Sequence, residues 1–252
     1  MFTHERQQAI LDLLADAGRV TVSALSARFE VSDDTIRRDL QALADDGVLQ
    51  KTHGGAVALD VPAMARAPRN RVLAPIKQAL GIAVVATLES GQTVFLDAGE
   101  TVLSVARALP DLPFTVITHS LDVAVLLSGR GKIRLILAGG EWSSRQRLFH
   151  GSAAEALITG CRADVAILGA CAIDPVQGVT ATDAGDAAIK RAMFGAAARR
   201  ILVADHSKLA GCQPWFVAPL SGFDAFYTDR ALALPGPRPE LHLIKQTIRG
   251  AA

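Results

Sequence analysis

Hydrophobic positions in the first fifty residues recur at helical spacing. In HERQQAILDLLADA (4–17), Ile10, Leu13, Leu14 and Ala17 fall at i, i+3, i+4 and i+7, the stripe of a one-sided helix, and Gly18 is placed to close it. RVTV (19–22) is a short β-prone connector. Ser23 is the expected N-cap of a second helix, SALSARFE, with Ala24, Leu25, Ala27 and Phe29 as its apolar face. Ser32 is placed to cap a third, DDTIRRDLQALADDG, in which Ile36, Leu40 and Leu43 point one way and Gly47 ends the run. Asp33 and Asp34 fall in its first turn, where they complement the helix dipole. VLQKTHGGAVAL (48–59) reads as two short strands about Gly54 and Gly55. Three short helices and a hairpin predict a winged helix-turn-helix over residues 1–59.

Residues 60–75, DVPAMARAPRNRVLAP, hold three prolines and three arginines without a period and read as a linker. From residue 76 the pattern changes. Amphipathic helices at 76–88, 101–109, 120–128, 152–160 and 184–198 alternate with apolar runs at 93–98, 114–118, 133–140, 163–170, 200–205 and 223–229. Continuous apolar strands between such helices predict a mostly parallel sheet covered on both faces, hence a larger α/β domain over 76–252. ELHLIKQ (240–246) is the expected edge strand, and EWSSRQRLFHG (141–151) reads as a surface loop carrying Arg145, a candidate to close over an anionic ligand.

Composition narrows the function classes. No run of about 18 apolar residues is present, and MFTHERQQAI lacks the layout of a signal peptide, so a soluble cytoplasmic protein is expected. Three cysteines without a CxxC pair suggest no disulfide framework, and the six histidines do not fall at ligand spacing, so no metal or cofactor is expected. Net charge is +1, but residues 1–57 carry six basic against nine acidic side chains, a net −3. If the first module binds a polyanion, placement and not bulk charge must explain it.

Placement is favourable in the third helix. The inward set leaves Thr35, Arg37, Arg38 and Gln41 on the opposite arc. Arginine forks onto guanine, glutamine onto adenine, and threonine reaches a phosphate or a thymine methyl, so this arc suits a major groove. Ser32 at the helix start, and Lys51 and His53 on the hairpin, would add contacts at the flanks. The alternative is that both arginines merely solubilise the module by pairing with Asp33, Asp34 or Asp39. Residues 6–57 resemble the reading head of the DeoR family of sugar-responsive regulators, whose VS-x-x-TIRRDL helix and L-x-R/K-x-H-GGA wing match Val31–Leu40 and Leu49–Ala56. The resemblance implies sequence-specific binding to an operator in double-stranded DNA by this arc.

In the second domain, small polar residues cluster where strands end: Gly99 to Thr101, Thr118-His119-Ser120, and Gly139-Gly140. An open α/β sheet places its ligand crevice there, and amides at the start of the following helix suit a phosphate. No GxGxxG follows the first strand, which favours a small phosphorylated ligand over a dinucleotide. The DeoR resemblance extends here through Asp97-Ala98-Gly99-Glu100-Thr101, Thr118-His119-Ser120, the glycine pair, Asp164 to Gly169, and Asp205-His206-Ser207-Lys208. It departs from the family at Glu100, which replaces a small hydroxyl, and at His119, which replaces an amide.

The same domain is similar to ribose-5-phosphate isomerase. The carboxylates of the isomerase DGADE motif are replaced in Leu168-Gly169-Ala170-Cys171-Ala172, and its helix glutamate aligns with Lys190. These replacements imply a sensor that binds a phosphorylated sugar without catalysing, through Asp97, Gly99, Glu100, Thr101, Thr118, His119, Ser120, Gly140, Asp183, Lys190 and Lys208. The reading is thus a repressor of sugar-metabolism genes, acting as a homodimer or homotetramer because operators are read two-fold. The alternatives are a sugar-phosphate isomerase, with Asp183 or Asp186 as substitute base, and a metabolite-binding protein without DNA function.

Overall fold

The computed structural model describes residues 2–45, 49–57, 73–233 and 238–244. Gly47 and most of the linker, residues 60–72, lie outside the described residues. The chain divides into two compact units between Leu73 and Ala74.

In the first unit, α1 (Thr3–Ala17) ends at Gly18 in the left-handed conformation, and β1 (Arg19–Thr21) leads into α2 (Val22–Phe29). The expected cap Ser23 lies inside α2. Thr21 caps the helix instead, its hydroxyl accepting from the Ala24 amide at 3.2 Å, because the chain leaves the extended conformation two residues earlier than the apolar pattern suggests. Ser32 caps α3 (Asp33–Asp45) as expected, accepting from the Thr35 amide at 3.2 Å. The hairpin is β2 (Gln50–Thr52) and β3 (Gly55–Val57), and β3 also pairs with β1, so the wing is a three-stranded sheet. Gly55 makes this possible: a Cβ there would stand 2.0 Å from the Val20 carbonyl oxygen. Ile10, Leu14, Leu25, Ile36, Leu40 and Leu43 form the core, each 3% exposed or less, at about 1.5–3 kcal/mol per side chain. Ala17, assigned to this stripe, is exposed at the last position of α1.

In the second unit, α4 (Ala74–Val85) precedes β4 (Thr93–Leu96), α5 (Glu100–Ala108), β5 (Phe114–Thr118), α6 (Leu121–Leu127) and β6 (Ile133–Leu137). A hairpin of β7 (Glu141–Ser143) and β8 (Leu148–His150) follows, then α7 (Ser152–Thr159) and β9 (Ala163–Leu168). Next come β10 (Ala172–Asp174), β11 (Gly178–Ala181), α8 (Ala184–Gly195), β12 (Ala197–Val203), β13 (Trp215–Ala218), β14 (Ala225–Thr228) and β15 (Glu240–Leu243). Seven strands build one parallel sheet in the order β15-β14-β12-β9-β4-β5-β6, with β15 at the edge as expected. The chain steps from β4 outward to β6, then returns to β9 on the other side of β4. The strand order therefore reverses between β4 and β9, the place where such sheets open a crevice at their carboxyl ends.

Two features differ from the sequence reading. Residues 141–150 are a hairpin and not a loop, and β10, β11 and β13 form a separate antiparallel sheet. Three- and four-residue strands are too short to show a period.

Candidate functional site

The reading arc is exposed. Ile36, Leu40 and Leu43 are buried, while Arg37, Arg38 and Gln41 face outward and Thr35 is half-buried. Lys51 and His53 are exposed on the hairpin, and Lys51 Nζ donates to Gln41 Oε1 at 2.7 Å, which joins wing to helix. Arg38 lies 2.7 Å from Asp34 and Arg37 3.8 Å from Asp33, one turn back on the same helix. Ser32 and Thr35 share a hydroxyl hydrogen bond of 2.9 Å at the helix start. Asp39, considered a partner for these arginines, is instead buried: Arg6 Nε donates to its Oδ2 at 2.6 Å and Arg6 Nη2 to its Oδ1 at 3.2 Å, locking α1 onto α3. The pair spans 33 residues, and the sequence offered no signal for it.

In the second unit the carboxyl ends of β4, β5, β9 and β12 bring Asp97, His119, Gly169 and Asp205 to one edge of the sheet. Asp97 is fully buried at the switch point. Its Oδ2 accepts from the Gly169 amide at 2.9 Å and from Lys190 Nζ, and its Oδ1 faces His119 Nε2 at 3.1 Å. Lys190, on α8 and 3% exposed, also lies 3.2 Å from Asp186 Oδ1, outside hydrogen-bond geometry. Burial pushes the Asp97 carboxyl up, but the Lys190 ammonium and His119 outweigh it and hold it at about 2. Burial pushes the Lys190 ammonium down, yet Asp186, Asp97 and Cys171 raise it well above the ordinary lysine value.

His119 Nδ1 lies 2.9 Å from the Phe149 carbonyl, so both ring nitrogens face acceptors and both bonds form only with both N–H groups in place. The hairpin that sequence reading missed supplies that carbonyl. It is fixed to the end of β5 by the Phe149 amide donating to the His119 carbonyl at 2.9 Å and by the Leu121 amide donating to Arg147 at 3.2 Å.

Several expected ligand residues have structural work. Ser120 caps α6 by accepting from the Val123 amide, and Thr118 donates to the Leu96 carbonyl at 2.7 Å while accepting from the Ser120 amide. Asp183 caps α8, accepting from the Gly185 and Asp186 amides. Gly140, at φ 150°, lets β6 turn into the hairpin; a Cβ would stand 2.4 Å from the His150 carbonyl oxygen. Gly99 starts α5 at φ 112°, leaving the first-turn amides of Glu100 and Thr101 without intrahelical partners. Glu100 sits 3.8 Å from Arg107, and Lys208 closes a short 3-10 turn (His206–Lys208) after β12, two strands from β4.

The structure thus gathers Asp97, His119 and Lys190, and adds Gly169, Asp186 and Cys171, which were not among the expected ligand residues. Ligand atoms of Asp97, His119 and Asp186 lie within 4.8 Å of one another, a set that sequence spacing did not reveal. The Lys190 ammonium sits against both carboxylates and supplies the positive charge there. A cavity of about 410 Å³ lined by Leu232, Arg238, Pro239, Glu240 and Leu241 lies beside β15, four strands from β4, and contains none of these residues. Among the described residues no helix is long and apolar enough to cross a membrane.

Residues 6–61 match the DeoR-like helix-turn-helix domain and residues 74–230 the DeoR C-terminal sensor domain. The chain belongs to the DeoR family. It is a sequence-specific DNA-binding transcription regulator with an α/β sensor domain. It is 36% identical to the transcriptional repressor AccR of Agrobacterium fabrum over 98% of this chain and 95% of that protein. It is 34% identical to the glycerol-3-phosphate regulon repressor of Escherichia coli over 89% of this chain and 90% of that one. Among solved structures, ribose 5-phosphate isomerase A from Methanocaldococcus jannaschii aligns with a TM-score of 0.42 at 16% identity, covering 55% of each chain.

Proposed function

We propose that this DeoR-family regulator represses sugar-metabolism genes and that a phosphorylated sugar, bound at the carboxyl edge of the parallel sheet, controls its grip on the operator. Thr35, Arg37, Arg38 and Gln41 read bases, with Ser32, Lys51 and His53 contacting the flanking backbone. The observation that carries the DNA assignment is the clean division of α3 into a buried Ile36-Leu40-Leu43 face and an exposed polar arc.

The sensor assignment rests on the reversal of strand order between β4 and β9, with Gly99, Thr101, Ser120 and Lys208 at the same edge as the Asp97–His119–Lys190 cluster. First-turn amides of α5 suit a phosphate, and Glu100 is drawn toward Arg107, away from that role. The name of the glycerol-3-phosphate regulon repressor is consistent with a small phosphorylated ligand. The domain binds without turning its ligand over: Leu168 and Cys171 stand where the isomerase motif has carboxylates, Asp183 is committed to a helix cap, and Asp186 lies 3.2 Å from the Lys190 ammonium. Two reading heads are paired by association of two or four copies, because half-sites are read two-fold.

The test is a titration of the full chain against a duplex that it selects from a randomised pool, with and without a panel of sugar and polyol phosphates. One of them should change the affinity by about 5- to 150-fold. No change with any member, together with unchanged affinity for the duplex in Lys208→Ala, would refute the sensor assignment. Arg37→Ala/Arg38→Ala should lower affinity for the selected duplex by about 10- to 100-fold or more.

A further inference from the structure

We propose that Asp33 and Asp34 are specificity-determining residues of the reading head: each holds an arginine in an internal ion pair that indiscriminate phosphate contact cannot profitably replace, which suppresses binding to non-operator DNA. The proposal rests on the assignment of α3 as the reading helix.

Each side chain of the arc has a partner within the module. Arg38 faces Asp34 at 2.7 Å, Arg37 faces Asp33 at 3.8 Å, Lys51 donates to Gln41, and Gln41 Nε2 donates to Asp45 Oδ1 at 2.7 Å. Charge elsewhere does not compensate. Residues 1–57 carry a net −3, and the buried Arg6–Asp39 pair accounts for one charge of each sign, so the other side chains of this stretch sum to the same −3.

Non-specific binding is driven almost wholly by attraction of basic side chains to phosphates and release of counterions. For Arg37 or Arg38, a lone phosphate contact exchanges one anion for another and brings the displaced carboxylate against the DNA backbone. A forked contact to a guanine edge is different, because it adds two directed hydrogen bonds that the carboxylate one turn back does not duplicate. The acids therefore tax the indiscriminate mode more than the specific one. The pairs are solvent-exposed, with side-chain exposures between 51% and 83%, so they exchange readily when the correct bases are presented.

The experiment compares full-length wild type, Asp33→Asn/Asp34→Asn and a charge-matched control on α1, Glu5→Gln/Asp12→Asn. Each is titrated against the selected duplex and a scrambled duplex of equal composition. Asp33→Asn/Asp34→Asn should bind the scrambled duplex at least about 10-fold tighter at 0.1 M salt, with a steeper salt dependence, while its selected-duplex affinity changes by less than about 3-fold. The control should move both affinities by less than about 3-fold. Unchanged scrambled-duplex affinity would overturn the proposal, as would a control that matches the test variant, since bulk charge would then suffice. Both acids also complement the helix dipole, so thermal unfolding is recorded for each variant. If the double variant is unstable, Asp34→Asn alone, which breaks the 2.7 Å pair, carries the same criteria. Arg37→Ala/Arg38→Ala separates the two claims. Normal affinity for the selected duplex there would refute the reading-helix assignment, whereas a loss there without a gain in Asp33→Asn/Asp34→Asn refutes the role of the acids alone.

Discussion

The Arg38–Asp34 pair of the reading helix has side chains 83% and 63% exposed, whereas the Lys190–Asp97 pair of the sensor domain has side chains 4% and 0% exposed. Both join a cation to a carboxylate, yet water makes them different devices. An exposed pair contributes little to stability and exchanges readily, which suits the DNA contact proposed for this helix. A buried pair has already lost its hydration, so removing either member strands the other charge; this one joins α8 to the end of β4.

The largest test of this contrast is Lys190→Ala, which leaves Asp97 buried with only His119 and the Gly169 amide. It should destabilise the sensor domain by about 3–5 kcal/mol in denaturant unfolding. Adding Asp97→Asn to Lys190→Met should recover part of that loss, and a single variant of wild-type stability would show that the cluster is not structural.

Acid titration sharpens the same point. The Asp97 carboxyl is held at about 2 against an ordinary 3.8, so its native form favours the deprotonated state. Its contribution is fully present above about pH 4 and is lost as pH falls toward 2; the shift corresponds to about 2 kcal/mol. Unfolding free energies measured between pH 5 and 2 should decline in wild type and decline less in Asp97→Asn, Asp174 still contributing to the slope.

A smaller effect is expected at the relocated cap: Thr21→Ala should cost about 1 kcal/mol, and Ser23→Ala, inside α2, much less. Equal losses would undo the reassignment. Of similar size, Asp33→Asn/Asp34→Asn should lower the stability of the reading head by about 1 kcal/mol, through two exposed pairs and the helix dipole, alongside its expected effect on DNA selectivity.

Much of the molecule was legible in one dimension. The helices of the reading head show in the stripe of Ile10, Leu14, Ile36, Leu40 and Leu43, and the parallel sheet shows in apolar runs spaced by amphipathic helices. The arc of Thr35, Arg37, Arg38 and Gln41 follows from the helical period alone. Short elements were harder: the hairpin at 141–150 and the small sheet of β10, β11 and β13 lack enough residues for a period, and Thr21 rather than Ser23 caps α2 because the β1–β3 pairing sets where the extended chain ends.

Local periodicity and strand-end composition determined the two-part architecture, the exposed polar face of α3 and the strand ends rich in small polar residues. Only the tertiary structure decided who partners whom. Arg6 with Asp39, His119 with the Phe149 carbonyl, and Lys190 with Asp97 lie 33, 30 and 93 residues apart. Pairing at such separations depends on how elements pack and on how much water they exclude. The same dependence separates a cation available to DNA from one that fastens the sensor.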